Sequence, residues 1–358
     1  MKKAVYVNVI VALVFTLSLM GGIFDCAAEE KGASSTLTPS GGPMPKTGVK
    51  MPEFFTMQGG ASPGSTSDIL TRGYEELLVK YFPKMKTRRL PMGTRDALIS
   101  LQGGTINYGP VMTEMLVHLG LKGKLKGYEG KGLDNIRHMG YSSAGNLLMV
   151  FVVLRGSPIK DISDLYNKRV HTGIHGSSSE IINRKILKFY GLSYESIKKN
   201  GGLILTGDLA EAASMLSAGT IDAFGSGTVH PYAPLVPTAA TKGIRILSLS
   251  EEAIAYIEKE RPGMVGQKLP SGVYPGQKEV LGLAYGCLVL AHKNLPEDVV
   301  YNLCAAHWSE KNPLGRKHAG WKGLDLLKIA TSRPPVIPVH PGAAKYWADR
   351  GIQVVYQK

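Results

Sequence analysis

The chain has 358 residues, of which 44% are hydrophobic and 20% are charged, and its formal net charge is +14. These values are typical of a globular protein with a large core, and they exclude a disordered chain, a small disulfide-stabilised scaffold and a multi-span membrane protein. A basic chain favours anionic partners. The basic residues are scattered rather than interleaved with aromatic residues, so we predict solvated surface and no nucleic-acid partner.

The first 28 residues have the composition of a secretory signal peptide. A cationic start precedes an almost continuous apolar run over Ala4–Phe24, and small residues follow before Glu29. We therefore predict cleavage after Ala28 and export of the mature chain. Because about 20 apolar residues can span a bilayer, an uncleaved signal anchor is a second interpretation. Lipid attachment at Cys26 is a third, which the preceding acidic residue disfavours.

The segment 29–50 is rich in Gly, Ser, Thr, Pro and Lys and has no hydrophobic periodicity, so we predict a flexible linker. Beyond it the mature chain has only Cys287 and Cys304. Cys287 lies in an apolar run that is typical of a strand, and Cys304 lies in a predicted helix. We expect two buried thiols rather than a disulfide.

From residue 53 onward, predicted strands and helices alternate, which is typical of an α/β fold with mostly parallel sheets. Strands are predicted at Glu53–Gln58, Lys86–Leu90, Ile106–Gly109, Leu147–Leu154, Arg169–Thr172, Leu203–Thr206, Ile221–Phe224, Arg245–Leu249 and Leu281–Ala291. Helices are predicted at Ser67–Phe82, Arg95–Leu101, Ser178–Tyr190, Leu209–Ala218 and Pro296–Trp308, with a helical turn at Asp161–Tyr166.

The loop Gly59–Thr66 lies between a predicted strand and a predicted helix. Its glycine spacing is that of a Walker A loop, but Ser65 stands where the phosphate-binding lysine is required, which argues against an NTPase. Free backbone N–H groups and hydroxyls at a helix N-terminus still attract an anion. A plain turn with serine caps is the alternative interpretation.

The loop Gly173–Glu180 also joins a predicted strand to a predicted helix, and it brings three consecutive serines to the helix start. No GxSxG motif is present, so an α/β-hydrolase nucleophile is not predicted. His171 and His175 lack a third ligand in the pattern, and no metal site is predicted. Two such loops in one exported chain suggest two lobes that grip one anion and close on it.

Seven motifs over about Met51–Gln353 make the chain resemble the TAXI (TRAP-associated extracytoplasmic immunogenic) solute receptors of TRAP transporters. The motifs are the loop 59–66, Ser157–Leu165 leading into Lys168–Val170, Gly176–Glu180, Leu216–Phe224, Gly272–Gly276, Asn294–Val300 and His340–Ala344.

The resemblance implies an α/β, two-lobed periplasmic-binding-protein fold (type II-like) with the ligand cleft between the lobes. Residues 51–148 and 283–358 would form lobe 1, and residues 149–282 would form lobe 2. It implies a periplasmic receptor, expected to be a monomer, that binds a small organic anion such as an acidic amino acid. The receptor delivers this ligand to the permease subunits of a TRAP transporter, without catalysis and without a cofactor. A receptor of similar fold for a tricarboxylate-type transporter or a membrane sensor is the alternative, and a secreted enzyme is a third.

The resemblance also implies ligand contacts from both lobes. We expect Tyr274 either to cover the pocket or to pack at the hinge, and a negative charge at Asp68 either to weaken carboxylate binding or to pair with an amino group. The implied contacts are Gly60, Ser62, Ser65, Thr66 and Tyr108 in lobe 1, and Ser177, Ser178, Ser179, Ser226, His230 and Tyr274.

Overall fold

The computed structural model describes residues 37–61, 65–313, 322 and 324–356, with the backbone alone at 144–146. The predicted signal peptide lies outside these residues. None of the helices in the described part of the chain is both long enough and apolar enough to cross a bilayer.

Within the described residues, ten strands form one sheet, and eleven α-helices pack around it. The strands are β1 (Phe54–Gln58), β2 (Lys86–Leu90), β3 (Tyr108–Thr113), β4 (Ile136–Leu154), β5 (Arg169–His171), β6 (Leu203–Leu205), β7 (Ala223–Thr228), β8 (Ile244–Leu247), β9 (Met264–Leu269) and β10 (Val280–His292). The helices are α1 (Thr66–Tyr81), α2 (Thr94–Gln102), α3 (Glu114–Leu121), α4 (Ser178–Phe189), α5 (Tyr194–Lys199), α6 (Leu209–Ala218), α7 (Val236–Thr241), α8 (Glu251–Glu260), α9 (Glu297–His307), α10 (Leu326–Ala330) and α11 (Pro341–Asp349).

The sheet has two halves of the same design. Its order is β2-β1-β3-β10-β4-β7-β5-β6. In the first half, β2, β1 and β3 are parallel and β10 runs antiparallel to β3. In the second half, β6, β5 and β7 are parallel and β4 runs antiparallel to β7. Each half thus has three parallel strands beside one antiparallel strand, and the predicted two-lobed α/β fold is confirmed. The expectation of a mostly parallel sheet is wrong, because β4 and β10 pair antiparallel with all of their partners.

Two long strands connect the halves. β4 pairs with β10 along its first part and with β7 and β8 along its last part. β10 also pairs with β9 through residues 280–285. The apolar run in the sequence predicts only the segment Leu147–Leu154, whereas the strand begins eleven residues earlier, at Ile136. The earlier part includes the buried residues His138, Ser142 and Ser143, so its sequence lacks the apolar run that marks a buried strand.

The core covers both faces of the sheet. On the first half, α9 and α11 bring Trp308 and Trp347 together, with ring centroids 4.8 Å apart. The Trp347 Nε1–H group donates a hydrogen bond of 2.7 Å to the Met139 carbonyl of β4. Cys287 and Cys304 are both buried and unpaired, which confirms the interpretation of two buried thiols.

The segment 37–50 is held against α9, so the predicted flexible linker is wrong for this part of the chain. The Ser40 N–H group donates to the Ser309 carbonyl at 2.8 Å, and the Ser40 hydroxyl donates to the Trp308 carbonyl at 2.6 Å. Further along, the Lys46 N–H group donates to the Asn302 side chain at 2.7 Å. These contacts bridge more than 250 residues of sequence, and local composition holds no sign of them.

Candidate functional site

A cavity of about 110 Å³ lies at the carboxyl ends of the parallel strands of both halves. This volume is several times the roughly 30 Å³ that one water molecule occupies in the liquid. In open α/β sheets, ligands bind outside these strand ends. The polar lining residues include Gln58, Ser65, Thr66, Ser67, Thr94, Thr113, Ser177, Ser178, Ser179, Asp208, Thr228, Tyr232 and Tyr285.

Four helix N-termini converge on this cavity, two from each half. The first half contributes α1 and α2, which follow β1 and β2, and the second half contributes α4 and α6, which follow β5 and β6. A polar or flexible residue caps the N-terminus of each helix. Ser65 accepts from the Asp68 N–H group, Ser177 from the Glu180 N–H group, and Asp208 from the Ala210 N–H group. Such N-termini attract negative charge.

Hydroxyl groups close the cavity from one half to the other. The Thr66 and Thr228 hydroxyl oxygens lie 2.7 Å apart, and the Ser178 hydroxyl donates to the Thr113 hydroxyl at 3.0 Å. In the first pair Thr66 begins α1 and Thr228 ends β7. In the second pair Ser178 begins α4 and Thr113 ends β3. The two halves are therefore in direct contact around the cavity.

The described lining includes neither lysine nor arginine, and Asp208 is its single carboxylate. An anion here would be bound by neutral hydroxyl donors and by the helix N-termini. Burial raises the pKa of the Cys287 thiol to about 12 and that of the Tyr285 hydroxyl well above its usual value. Both side chains are therefore neutral near pH 7. Tyr285 donates to the Gly227 carbonyl at 3.1 Å.

The cavity brings together five of the residues that we predicted as ligand contacts. They are Ser65, Thr66, Ser177, Ser178 and Ser179. Ser62 lies outside the described residues. Gly60 lies behind the wall, where a β-carbon would overlap the Asp68 backbone, so its role is to let the loop approach α1. Contact between any of these residues and a ligand remains a prediction.

Tyr108 does not line the cavity, contrary to our expectation. Its side chain is fully buried in the core of the first half, and its hydroxyl pairs with His307 Nδ1. Residues alternate between the two faces of a strand, and the sequence did not specify which face of β3 carries Tyr108. Met57, the neighbour of Tyr108 in register on β1, belongs to the same core cluster.

Ser226, His230 and Tyr274 also lie outside the cavity, as a connected chain behind one of its walls. The Ser226 hydroxyl lies 3.4 Å from His230 Nε2, and His230 Nδ1 lies 2.8 Å from the Tyr274 hydroxyl. That hydroxyl also accepts from the Tyr232 N–H group at 2.7 Å. Tyr232 does line the cavity. The packing interpretation of Tyr274 is thus the one that the structure favours.

Asp68 does not line the cavity either. Its buried carboxylate binds Arg72 at 2.9 Å and Arg89 at 3.0 Å. Two guanidinium groups balance the negative charge that we expected near the pocket.

Several lining residues were missed because no motif marks them. Thr113 and Thr228 end β3 and β7, and Asp208 caps α6. Gln58 ends β1, and both atoms of its amide are bound by the Val111 backbone, at 3.0 and 3.2 Å. Polar residues at the carboxyl ends of predicted strands were the available signal.

Substituting Gly60→Ala is expected to lower the free energy of unfolding by about 1–3 kcal/mol, because the added β-carbon would overlap the Asp68 backbone. Urea denaturation measures the change. Gly156→Ala is the matched control, since a β-carbon there meets no atom within 4 Å. Equal midpoints for the two variants would contradict the close approach.

Comparison with solved structures matched the chain to several proteins described as binding small molecules. The aliphatic sulphonate binding protein SsuA from Escherichia coli is 17% identical, with a TM-score of 0.43 over 83% of this chain and 84% of that one. SsuA from Xanthomonas axonopodis pv. citri, bound to MOPS, is 18% identical, with a TM-score of 0.46 over 84% and 95%. PhnD1 from Prochlorococcus marinus, in complex with methylphosphonate, is 12% identical, with a TM-score of 0.46 over 78% and 91%. At such identities the ligands of these proteins do not transfer to this chain.

The family assignment rests on a match over most of the chain. The model of the NMT1-like family matches residues 90–351, which include β3 to β10 and the loops that bring α4 and α6 to the cavity. The chain therefore belongs to the NMT1-like family.

Proposed function

We propose that this protein is an extracytoplasmic receptor that captures a small organic anion by closure of its two lobes. The observation that carries the proposal is the convergence of four helix N-termini, two from each half, on one cavity lined by hydroxyls. An anion in the cavity would be attracted by both halves at once. Its binding would therefore favour the closed arrangement in which Thr66 meets Thr228. The lobe boundaries expected at 148/149 and 282/283 belong to this proposal.

The lining favours a ligand with both an acidic and a basic group. Hydroxyls and helix N-termini suit a carboxylate, and Asp208 would suit an amino group. The absence of lysine and arginine from the described lining disfavours a tricarboxylate, whose several charges require cationic partners. An acidic amino acid or a related carboxylate fits this arrangement best.

The resemblance to TAXI receptors supports delivery of the ligand to the permease subunits of a TRAP transporter, in the periplasm. A receptor for another transporter or a membrane sensor is the second candidate. An enzyme is disfavoured by the way the serines are engaged. The Ser177 hydroxyl caps α4, and the Ser178 hydroxyl donates to Thr113. These roles suit binding and closure rather than activation of a nucleophile.

A thermal-shift screen tests the proposal. The chain from Glu29 to Lys358, refolded to remove carried-over ligand, is screened against amino acids, dicarboxylates, tricarboxylates and aromatic acids. We expect a carboxylate at about 100 times its Kd to add about 2.7 kcal/mol of stability. Ser178→Ala and Thr66→Ala should each remove most of this shift, since both hydroxyls line the cavity.

The matched control is Ser214→Ala, an exposed serine on α6 that does not line the cavity. Its shift should equal that of the wild-type protein. No shift with any acid of the panel would overturn the receptor proposal. Turnover of the bound acid that disappears in Ser178→Ala would favour the enzyme.

A further inference from the structure

A second and larger cavity, here called the basic groove, lies beside α4. Its volume is about 580 Å³. One wall comes from α3 and the segment that follows it, and the other comes from α4, α5 and the turn between them. The first wall belongs to the first half of the sheet and the second wall to the second half. The receptor function proposed above uses the cavity at the carboxyl ends of the parallel strands, and it assigns no role to the basic groove.

The floor of the basic groove is aliphatic. It is built from leucines of the first wall and from aliphatic residues of the second, namely Leu116, Leu119, Leu125, Ile181 and Leu192. Leu119, Ile181 and Leu192 are only partly buried. Contact with an apolar ligand would remove this surface from water, at about 25 cal/mol per Å².

The rims of the basic groove are cationic. Seven lysine and arginine residues line it, against the two carboxylates Glu180 and Glu195. Glu180 is already bound by Arg184, at 2.5 Å, and by the Tyr194 hydroxyl, at 2.9 Å. Arg95 and Lys185 also form salt bridges, with Asp96 and Glu260, which leaves four of the seven cations without a salt bridge among the described residues.

Several of these cations form no salt bridge within the described residues. Lys124 and Lys126 on the first wall form no salt bridge with a described residue, and neither does Lys188 on the second wall. The buried Arg261 Nε–H group also has no hydrogen-bond partner. Unpaired cations on both sides of an aliphatic floor match a molecule with an apolar body and an acidic group.

We propose that the basic groove is a binding site for a free amphipathic organic anion, such as an alkyl carboxylate. Its chain would lie on Leu119 and Ile181, and its acid would bind Lys124 or Lys188. Because both walls contact the ligand, its binding also holds the two halves together. A nucleotide fits less well, since Tyr194 is the one Tyr, Trp or Phe in the described lining of the groove and its ring is covered by Arg184 at 4.5 Å. A membrane surface fits less well because the aliphatic floor is recessed between two walls.

Isothermal titration with decanoate tests this site. We expect saturable binding to the wild-type protein, at least tenfold weaker binding of decanol, and no detectable binding of acetate. The double substitution K124A/K188A should raise the Kd for decanoate at least tenfold. Leu119→Asn should raise it about fivefold by making the floor polar.

Each variant has a control from the same part of the chain. K122A/K198A removes two exposed lysines that do not line the groove, and Leu121→Asn changes an exposed leucine on α3 that is also outside it. Both should bind decanoate like the wild type, and circular dichroism checks the fold of every variant. Equal losses in variants and controls, absence of decanoate binding, or binding only to phosphatidylglycerol vesicles would overturn the proposal.

Discussion

Lowering the pH from 7 to 5 is expected to reduce the free energy of unfolding by about 6 kcal/mol through three buried histidines. Burial lowers the pKa of His138 to about 3 and that of His340 to about 4, and it lowers the pKa of His307 well below 6.5. In the unfolded chain each histidine titrates near pH 6.5. Below that pH the unfolded state therefore binds more protons, and each histidine lowers stability by about 2 kcal/mol at pH 5.

The surroundings of these histidines explain why they stay neutral. His307 stacks on Tyr74, with ring centroids 3.5 Å apart, and its Nε2 atom is buried without a hydrogen-bond partner. His340 Nδ1 accepts from the Gly342 N–H group at the start of α11, at 3.2 Å, which requires an unprotonated nitrogen. His138 Nδ1 is also buried without a partner.

Urea unfolding at several pH values between 7 and 5 measures this dependence. His138→Phe should make the average slope shallower by about 1 kcal/mol per pH unit, because one histidine accounts for about 2 kcal/mol over these two units. His175→Gln, at an exposed position, should leave the slope unchanged. A total slope below one proton per molecule between pH 6.5 and 5 would contradict the prediction.

The second large effect is expected from Arg89→Ala, which should lower the free energy of unfolding by about 3 kcal/mol. Arg89 on β2 binds the buried Asp68 carboxylate at 3.0 Å and the Glu75 carboxylate at 2.5 Å. Without it, two largely buried carboxylates of α1 lose a shared partner. Arg72 still binds Asp68, but its side chain is half exposed and contributes less.

Arg88→Ala is the matched control, because Arg88 is the preceding residue of β2 and is exposed. Surface substitutions of this kind change stability by at most about 0.5 kcal/mol. Urea denaturation at pH 7 compares the two variants. A loss in Arg89→Ala that is no larger than that in Arg88→Ala would show that the carboxylates find other partners. Because Asp68 lies in the first turn of α1, Arg89→Ala should also weaken ligand binding in the thermal-shift screen.

Sequence patterns predicted the elements that local chemistry encodes. The strand Lys86–Leu90 and the helix Leu209–Ala218 were predicted with the bounds that the structure has. The helix starts at an Asp208 cap and ends where Gly219 adopts a left-handed φ of 74°. In contrast, α3, α8 and β9 were not predicted. α3 follows β3 without a break and has no capping side chain to mark its start.

The candidate site shows the same difference between what local sequence patterns predict and what tertiary structure determines. The serines at 65 and 177–179 could be found from the chain alone, because a polar loop between a strand and a helix is a local pattern. Tertiary structure decided that these serines meet Thr113, Thr228 and Asp208, which come from strand ends and a helix start elsewhere in the chain. It also placed Tyr108 in the core and Asp68 between two arginines. Caps and apolar runs act over a few residues, whereas the pairing of β4 with β10 and β7 determines which strand ends share one cavity.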